Sequence, residues 1–447
     1  SNETGLVAKS SKNNKASYSG IDAGLSIFSP QLVEEGVKKI VNVEFFPLSP
    51  VQKMKPIDFS IPWTNPLYFD LSKCLLKLKV RIVKGVDNTP IDRDDHVGFA
   101  NNILHTLFQK VDLMISGKLI SPDVSVNFPY QQMLQILTCY PVDFLQTVAS
   151  TQGFAKDSPF FISSPSISPE GENKGHFLRS EWSRDGQYLC LESGLGHDLC
   201  YMNCYLPNHL PIQIRLWQST DDFVLVSTEN STENYRFQLA DVSLSIAGVE
   251  VTDEIISRHE AMLANKMATF HYKRSEIKTF TVPKGQHVFA INQLYGGTLP
   301  FETIVACVKT TSYLGDRKTS PFEFDHFKLS QCSLYVEGLQ EQRYNLCFRD
   351  KEYDFVHAYR NLYLTDSGTR FTPGLISLSD YPGGYVLLRF PLSTSETVRV
   401  NAVKQGTGRL TFRWDEPLDQ SVTILVFNKF HSEIYMDSSR MIWLTKV

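Results

Sequence analysis

The 447-residue chain is short of most features that would place it quickly. It has no long hydrophobic run: stretches such as residues 422–427 fall far below the ~20 apolar residues a membrane helix needs. Neither sign of charge dominates, because 44 Lys and Arg against 48 Asp and Glu leave a formal net charge of −4. That balance implies no overall electrostatic pull toward nucleic acid or acidic membranes. No charged-then-apolar leader opens the sequence, so a secretory signal is not expected. Cysteine is sparse and scattered: Cys74, Cys139, Cys190, Cys200, Cys204, Cys307, Cys332 and Cys347 sit mostly in apolar patterns. They read as reduced core thiols of a protein made inside a cell, which would leave the sequons at Asn2 and Asn230 idle.

The recognisable chemical motifs are missing as well. None of the 11 His residues forms the His-x-His pair that a two-domain cupin-like metalloenzyme would place on a strand. There is no Gly-x-Ser-x-Gly elbow and no Gly-x4-Gly-Lys-Ser/Thr phosphate loop. His197, Cys200 and Cys204, with His209 beyond, are the one cluster that hints at zinc. A zinc site wants four ligands at tight spacing, whereas Cys200, Met202 and Cys204 alternate as buried residues of a strand do. Asp94–Asp95 and Asp221–Asp222 are paired carboxylates in polar sequence, where solvated turn acids are the default. The expectation is a protein that is not an enzyme, with no catalytic, cofactor-binding or metal-binding residues and no cofactor.

What the chain has is aromatic, β-prone sequence and a long internal repeat. Aromatics make up 12%, with 29 Phe and 19 Tyr. In residues 109–137, Val111, Leu113 and Ile115 alternate with polar neighbours, and Gly117 supplies a turn. Tyr130, Met133, Leu134 and Leu137 then fall at i, i+3, i+4 and i+7, on one helical face. The unit recurs downstream. Cys332, Leu334 and Val336 precede Gly338, and Phe355, Ala358, Tyr359 and Leu362 repeat the helical spacing. Gly117 and Gly338 are 221 residues apart (338 − 117), and residues 57–62 resemble 278–283 at the same offset. Residues 212–225 resemble 422–436 at an offset of 210 (422 − 212). A period this long indicates two tandem domains of one fold rather than a solenoid.

In order, residues 1–40 form a polar arm, mildly basic through Lys9, Lys12 and Lys15, and residues 41–230 make a first domain. Residues 231–437 make the second, and 438–447 are a tail. In the strand around Leu76, Leu78, Val80 and Ile82, the alternating Lys77, Lys79 and Arg81 mark a wet face. Residues 101–108 are expected to form a helical turn and residues 200–205 a strand. Residues 150–196 form a long Ser/Pro/Gly-rich segment, expected to be a lid or a projection that contacts neighbours. Residues 228–234 read as the linker, residues 237–246 as the strand that opens the second half, and Asp253 as the N-cap of the helix after it. About eight short strands per half with an inserted helix favour two tandem eight-stranded jelly rolls, an all-β double jelly roll, over immunoglobulin domains.

The chain resembles the double jelly-roll major capsid proteins of Polinton/Maverick virus-like transposons and the related adintoviruses. The resemblance is carried by VEFFPLSP (43–50), FANNILHTLFQKVDLMISGKLISP (99–122), FPYQQMLQILTCYP (128–141) and FTVPKGQ (280–286). It continues through SPFEFDHFKLSQCSLYVEGLQ (320–340), DYPGGYVLLRFPL (380–392) and VKQGTGRLTFRWDEPLDQSVTILVF (403–427). It implies a structural protein of the virion, made and assembled in the host cell. Homotrimers would form pseudo-hexameric capsomers that tile an icosahedral shell around double-stranded DNA, with a single-jelly-roll penton protein at the vertices. The arm would face the lumen, ordered only on assembly, and weakly contact DNA or minor capsid proteins. Contacts between chains would come chiefly from residues 150–196 and 365–384. A two-domain carbohydrate-binding protein is the alternative from another class, with the cupin-like enzyme behind it.

Overall fold

The computed structural model describes residues 36–85, 87–120, 127–228, 233–349, 351–364, 374–392 and 405–444. Most of the arm, both sequons, the middle of the expected linker and the first part of the second loop (365–373) lie outside the described residues.

Eight principal strands come from the first half. They are β1 Val37–Phe45, β2 Ile57–Ile61, β3 Tyr68–Lys84, β4 Phe108–Ile115, β5 Lys118–Ile120, β6 Leu189–Gly194, β7 Ile212–Gln218 and β8 Arg236–Val251. Eight more follow as β9 Ala268–Val282, β10 Val288–Ile291, β11 Glu302–Lys309, β12 Leu329–Val336, β13 Leu339–Asn345, β14 Leu387–Pro391, β15 Gly408–Trp414 and β16 Val422–Met436. Pairing in the first set runs β1-β8-β3-β6 in one sheet and β2-β7-β4-β5 in the other. The second set repeats it strand for strand, as β9-β16-β11-β14 and β10-β15-β12-β13. Apart from the β4–β5 and β12–β13 hairpins, consecutive strands alternate between two antiparallel sheets, which is jelly-roll topology. The fold is a double jelly roll.

Local chemistry explains the strands. Along β3, Leu76, Leu78, Val80 and Ile82 are buried while Lys77 and Lys79 are exposed, so the period-2 pattern sorts a core face from a wet face. The hairpins β4–β5 and β12–β13 close through two-residue turns, Ser116-Gly117 and Glu337-Gly338. All four residues have φ between 49° and 80°, the primed turn that matches strand twist and that glycine tolerates at its second position. Each hairpin leads on to a helix, α1 Phe128–Cys139 in the first half and α4 Val356–Tyr363 in the second. These are the two copies read from the sequence.

Other sequence expectations change. Strand order makes β10 the counterpart of β2, and β15 the counterpart of β7. Residues 57–62 and 278–283, and 212–225 and 422–436, are therefore not equivalent pairs; alternating apolar strands are interchangeable in pattern. Residues 237–246 lie in β8, between β1 and β3, so the sheet pairing gives this strand to the first half. Residues 228–234 therefore do not divide the two sets of sheets. The connection between the two sets of sheets is helix α3, Asp253–Leu263, and its N-cap position is Thr252 rather than Asp253. Asp253 instead pairs with Lys38 at 3.2 Å. Residues 200–205 are not a strand: Asp198–Tyr201 is a short 3-10 helix that leads into turns. The expected helical turn is present at Ile103–Thr106.

Two apolar cores result, and each is completed by the other half. The core of the second jelly roll takes Tyr130, Met133, Leu134 and Leu137 from α1, together with Phe144, Phe154 and Ile162 of the first half. Phe223, Tyr313 and Phe322 surround the Tyr130 ring at 5.6–5.8 Å between centroids. In return, the core of the first jelly roll takes Phe270 and Tyr272 of β9, Ile434 and Met436 of β16, and Ile442. Burying a large apolar side chain stabilises by roughly 1.5–3 kcal/mol, so each exchange carries a sizeable share of a domain's net stability. A chain cut after Val251 and one starting at Ala268 are both expected to lack fixed tertiary packing when made alone, and to regain it when mixed or joined. Near-UV circular dichroism and dye binding check this.

Candidate functional site

The residues singled out for metal chemistry do not converge. His197 is buried and caps the 3-10 helix, its Nδ1 accepting the Leu199 N–H at 3.2 Å. Cys200 is buried beside Cys74, whose thiol, together with burial, pushes the Cys200 thiol well up. Cys204 is exposed, and so is His209, which contacts the Trp63 carbonyl through Nδ1 at 3.0 Å. Among the described residues no group of three or more His, Cys, Asp or Glu is arranged to hold a metal. The expectation of core thiols fits Cys74, Cys200, Cys307 and Cys332, while Cys139, Cys190 and Cys204 are exposed and Cys347 is half-buried.

The paired carboxylates divide their work rather than acting as solvated pairs. Asp221 accepts from Lys53 at 2.5 Å and from the Phe237 backbone N–H at 3.0 Å, fixing the start of β8. Its exposed neighbour Asp222 accepts from Arg317 at 2.5 Å. Asp95 takes hydrogen bonds from Tyr235 at 2.8 Å, Lys84 at 3.1 Å and the Asp92 amide at 2.7 Å. Its carboxyl falls below the ordinary aspartate range because those bonds outweigh its burial, the largest single influence.

The long segment after α1 is built into the molecule. It contains helix α2, Lys174–Trp182, whose N-cap Asn173 accepts the His176 N–H. Arg179 of α2 and Asp157 form an ion pair at 2.7 Å with each side chain about 2% exposed. The same guanidinium donates to the Phe99 and Ala155 carbonyls, so each of its three nitrogens has a partner, as a buried charge requires. Tyr385 of the second half donates to the Asp157 carbonyl at 2.7 Å, and Lys156 pairs with Asp380. A second buried network joins Glu302 to Arg389 at 2.6 Å and to Lys429 at 2.8 Å. Burial acts most strongly on Glu302, but the two cations together overcome it and hold the carboxyl at about 2. Spacing and composition carry no sign of these partners, which lie 22 to 228 residues apart.

Three buried imidazoles lie in or beside this segment. His105 contacts the Gly194 carbonyl through Nε2 at 2.9 Å and Asn102 through Nδ1 at 3.2 Å. His176 contacts the Ser166 carbonyl through Nδ1 at 3.0 Å and packs against Gly98, where an added Cβ would lie 2.7 Å from the ring. Burial is the main reason that His105, His176 and His197 are each held neutral, down to about 4. Arg179 lowers His176 further while Asp157 opposes it, and Asp112 opposes the shift at His197.

What remains open is surface. A cleft of about 430 Å3 is lined by Asp92, Arg93, Asp94, Phe177, Glu181 and Arg184, among others. A second, of about 350 Å3, is lined by Arg274, Glu276, Lys278 and Phe430. Charges of both signs line each cleft. No helix among the described residues is long and apolar enough to cross a membrane.

No protein-family model matches the chain. A curated Caenorhabditis elegans protein, the uncharacterised F54H12.2, is 22% identical over 311 residues, covering 68% of this chain and 71% of that one. The solved structures it resembles come from viral capsids. The Sputnik virophage structure matches with a TM-score of 0.62 at 8% identity, over 99% of this chain and 94% of that one. The PBCV-1 virus capsid matches at 0.57 and 9%, over 94% and 100%. The mavirus major capsid protein matches at 0.54 and 11%, over 99% and 96%. The chain therefore has the double jelly-roll fold of capsid proteins along nearly its whole length.

Two predictions follow from the buried polar groups. Unfolded histidine takes a proton below about 6.5, whereas these three resist it to about 4. The unfolded state therefore binds more protons in that window, and stability present above pH 6.5 is lost as pH falls toward 4. Melting temperature is expected to drop steeply between pH 6.5 and 4.5, and less steeply in His105→Gln, which keeps a donor for the Gly194 carbonyl. Asp157→Ala leaves the Arg179 charge buried without its partner, and is expected to destabilise by about 3–5 kcal/mol in denaturant titration.

Proposed function

We propose that this chain is a structural subunit of a virus-type shell, a major capsid protein, with no catalytic role. The observation that carries the reading is the twofold use of one strand order in a single interlocked body. Two near-equivalent eight-stranded rolls side by side give a subunit that presents similar edges twice. Three such chains closed around a threefold axis present six rolls, an outline that tiles a surface hexagonally. The likeness in fold to the Sputnik, PBCV-1 and mavirus structures supports the same reading. Buried ion pairs braced across the two halves, such as Arg179–Asp157 with Tyr385, suit a load-carrying subunit.

In finer detail, the chain is read as the capsomer protein of a Polinton/Maverick or adintovirus-like element. Its homotrimers would meet neighbouring capsomers and a single-jelly-roll penton protein in an icosahedral shell around double-stranded DNA. The first roll is taken to end at Val251, with α3 as the connector and the second roll from Ala268 to residue 437. The N-terminal arm is assigned to the lumen, where three lysines per chain act together across many copies. Purified protein at micromolar concentration is expected to have a native mass of three chains and to show pseudo-hexagonal particles in negative stain. A strictly monomeric chain refutes the reading.

A further inference from the structure

We propose that His326 is an acid-operated latch: its neutral imidazole holds the turn at residues 325–328 closed, and a proton on its Nδ1 opens that turn. The Lys328 backbone N–H donates to His326 Nδ1 at 2.9 Å. A main-chain N–H can only donate, so this bond requires an Nδ1 that carries no proton. What it holds is unfavourable backbone. Phe327 has φ +46° and Lys328 φ +61°, in the left-handed region that residues with a Cβ avoid. Among the described residues they are the only adjacent pair, neither of them glycine, in which both take positive φ.

The surroundings aim the ring. It stacks on Phe348 with 4.2 Å between centroids and 4° between planes. The stack continues to Phe355, just before α4, at 5.4 Å, and on to the buried Tyr381 at 5.5 Å. The His326 amide donates to Asp325 Oδ1 at 2.7 Å, and the Leu329 amide donates to the His326 carbonyl at 2.8 Å, which delivers the chain into β12. Across the turn, the Lys328 carbonyl accepts the Asp415 amide at 3.0 Å, next to the end of β15, and the Lys328 ammonium pairs with Glu416 at 2.6 Å. The His326 side chain is still 23% exposed, so water can deliver a proton to it. The turn thus joins a titratable ring at the surface to the aromatic interior of the second roll.

The charges around the ring set the direction of the switch. Burial is the largest influence and favours the neutral imidazole, and the Lys328 ammonium adds to it. Asp325, whose Oδ1 lies 3.9 Å from Nε2, opposes both, yet the ring stays below the ordinary histidine value. The other charges nearby are Glu416 and Asp419 beside Lys328, and Asp415 with Arg349 at 3.8 Å. In an opened turn the ring titrates near 6.5, so the closed turn binds fewer protons in acid. Closure is therefore fully favoured above pH 6.5 and is lost as pH falls below it. A proton at Nδ1 sets two donors face to face, the ring N–H and the Lys328 N–H, and the left-handed pair loses its tie.

The test is amide hydrogen exchange read by mass spectrometry at pH 7.5 and 5.0, with labelling times scaled to the intrinsic rate. It compares wild type, His326→Phe and His326→Asn. Phenylalanine keeps a ring on Phe348 but offers no acceptor, whereas asparagine offers an amide oxygen near the place of Nδ1 and does not titrate. In wild type, peptides covering residues 325–329 are expected to exchange roughly tenfold faster at pH 5.0, while peptides from β11 and β16 stay protected. His326→Phe is expected to exchange fast at both pH values, and His326→Asn slowly at both. Wild-type protection that does not change with pH overturns the latch. A His326→Phe turn as protected as wild type at pH 7.5 overturns it too, because the bond would then hold nothing. So does a His326→Asn turn that opens in acid, since another group would be the one titrating. An equal loss of protection in β11 and β16 also overturns it, because the proton would then act on the whole fold.

Discussion

The structure depends on an exchange of apolar surface between its two halves. A jelly roll normally closes its own core between its own two sheets. Here α1 leaves the first roll and buries Tyr130, Met133, Leu134 and Leu137 in the core of the second. The far ends of β9 and β16 extend beyond their own roll and bury Phe270, Tyr272, Ile434 and Met436 in the core of the first. Both contacts are large, non-polar and reciprocal, so the relative position of the rolls is set by close packing rather than by a linker. The buried ion networks then add direction to a contact that apolar packing alone leaves unspecific. Arg179–Asp157 is joined to Tyr385 of the second half, and Gln131 and the Ser275 amide meet on Asp198.

Much of the fold was legible in the sequence because strand period, turn glycine and helical spacing are local. Leu76 to Ile82 with Lys77 and Lys79, the Gly117 and Gly338 hairpins, and the buried stripe of α1 all read directly. Strand partners were less legible. Residues 278–283 look like residues 57–62 because any half-buried strand with a proline at its end does, and only pairing shows that they belong to different sheets. The polar run before β8 looked like a boundary because loops within and between domains share a composition. Thr252 took the cap from Asp253 by one position, an ambiguity common at helix ends.

The candidate site was less legible still, for physical reasons. Motif spacing finds chemistry when ligands or catalytic groups lie close along the chain. Here the informative groups are held across long sequence separations, as Lys156 is with Asp380 or Glu302 with Lys429. Cys200 and Cys204 illustrate the reverse: close in sequence and suggestive of a site, one lies in the core and the other in solvent. The positive φ at Phe160 is a tertiary constraint, imposed where its amide donates to the Gly383 carbonyl more than two hundred residues away, and no property of the dipeptide announces it.

The placement of Ile434, Met436 and Ile442 in the core of the first roll has a consequence for synthesis. A ribosome releases the chain from its N-terminus, and domains ordinarily fold as they emerge. This first roll must wait, because side chains that complete its interior, Ile434 and Met436, are translated about 180 residues after its own last strand ends at Val251. A product terminated before Ile434 therefore lacks part of the first roll's interior. Order in the upstream roll is thus conditional on sequence far downstream of it.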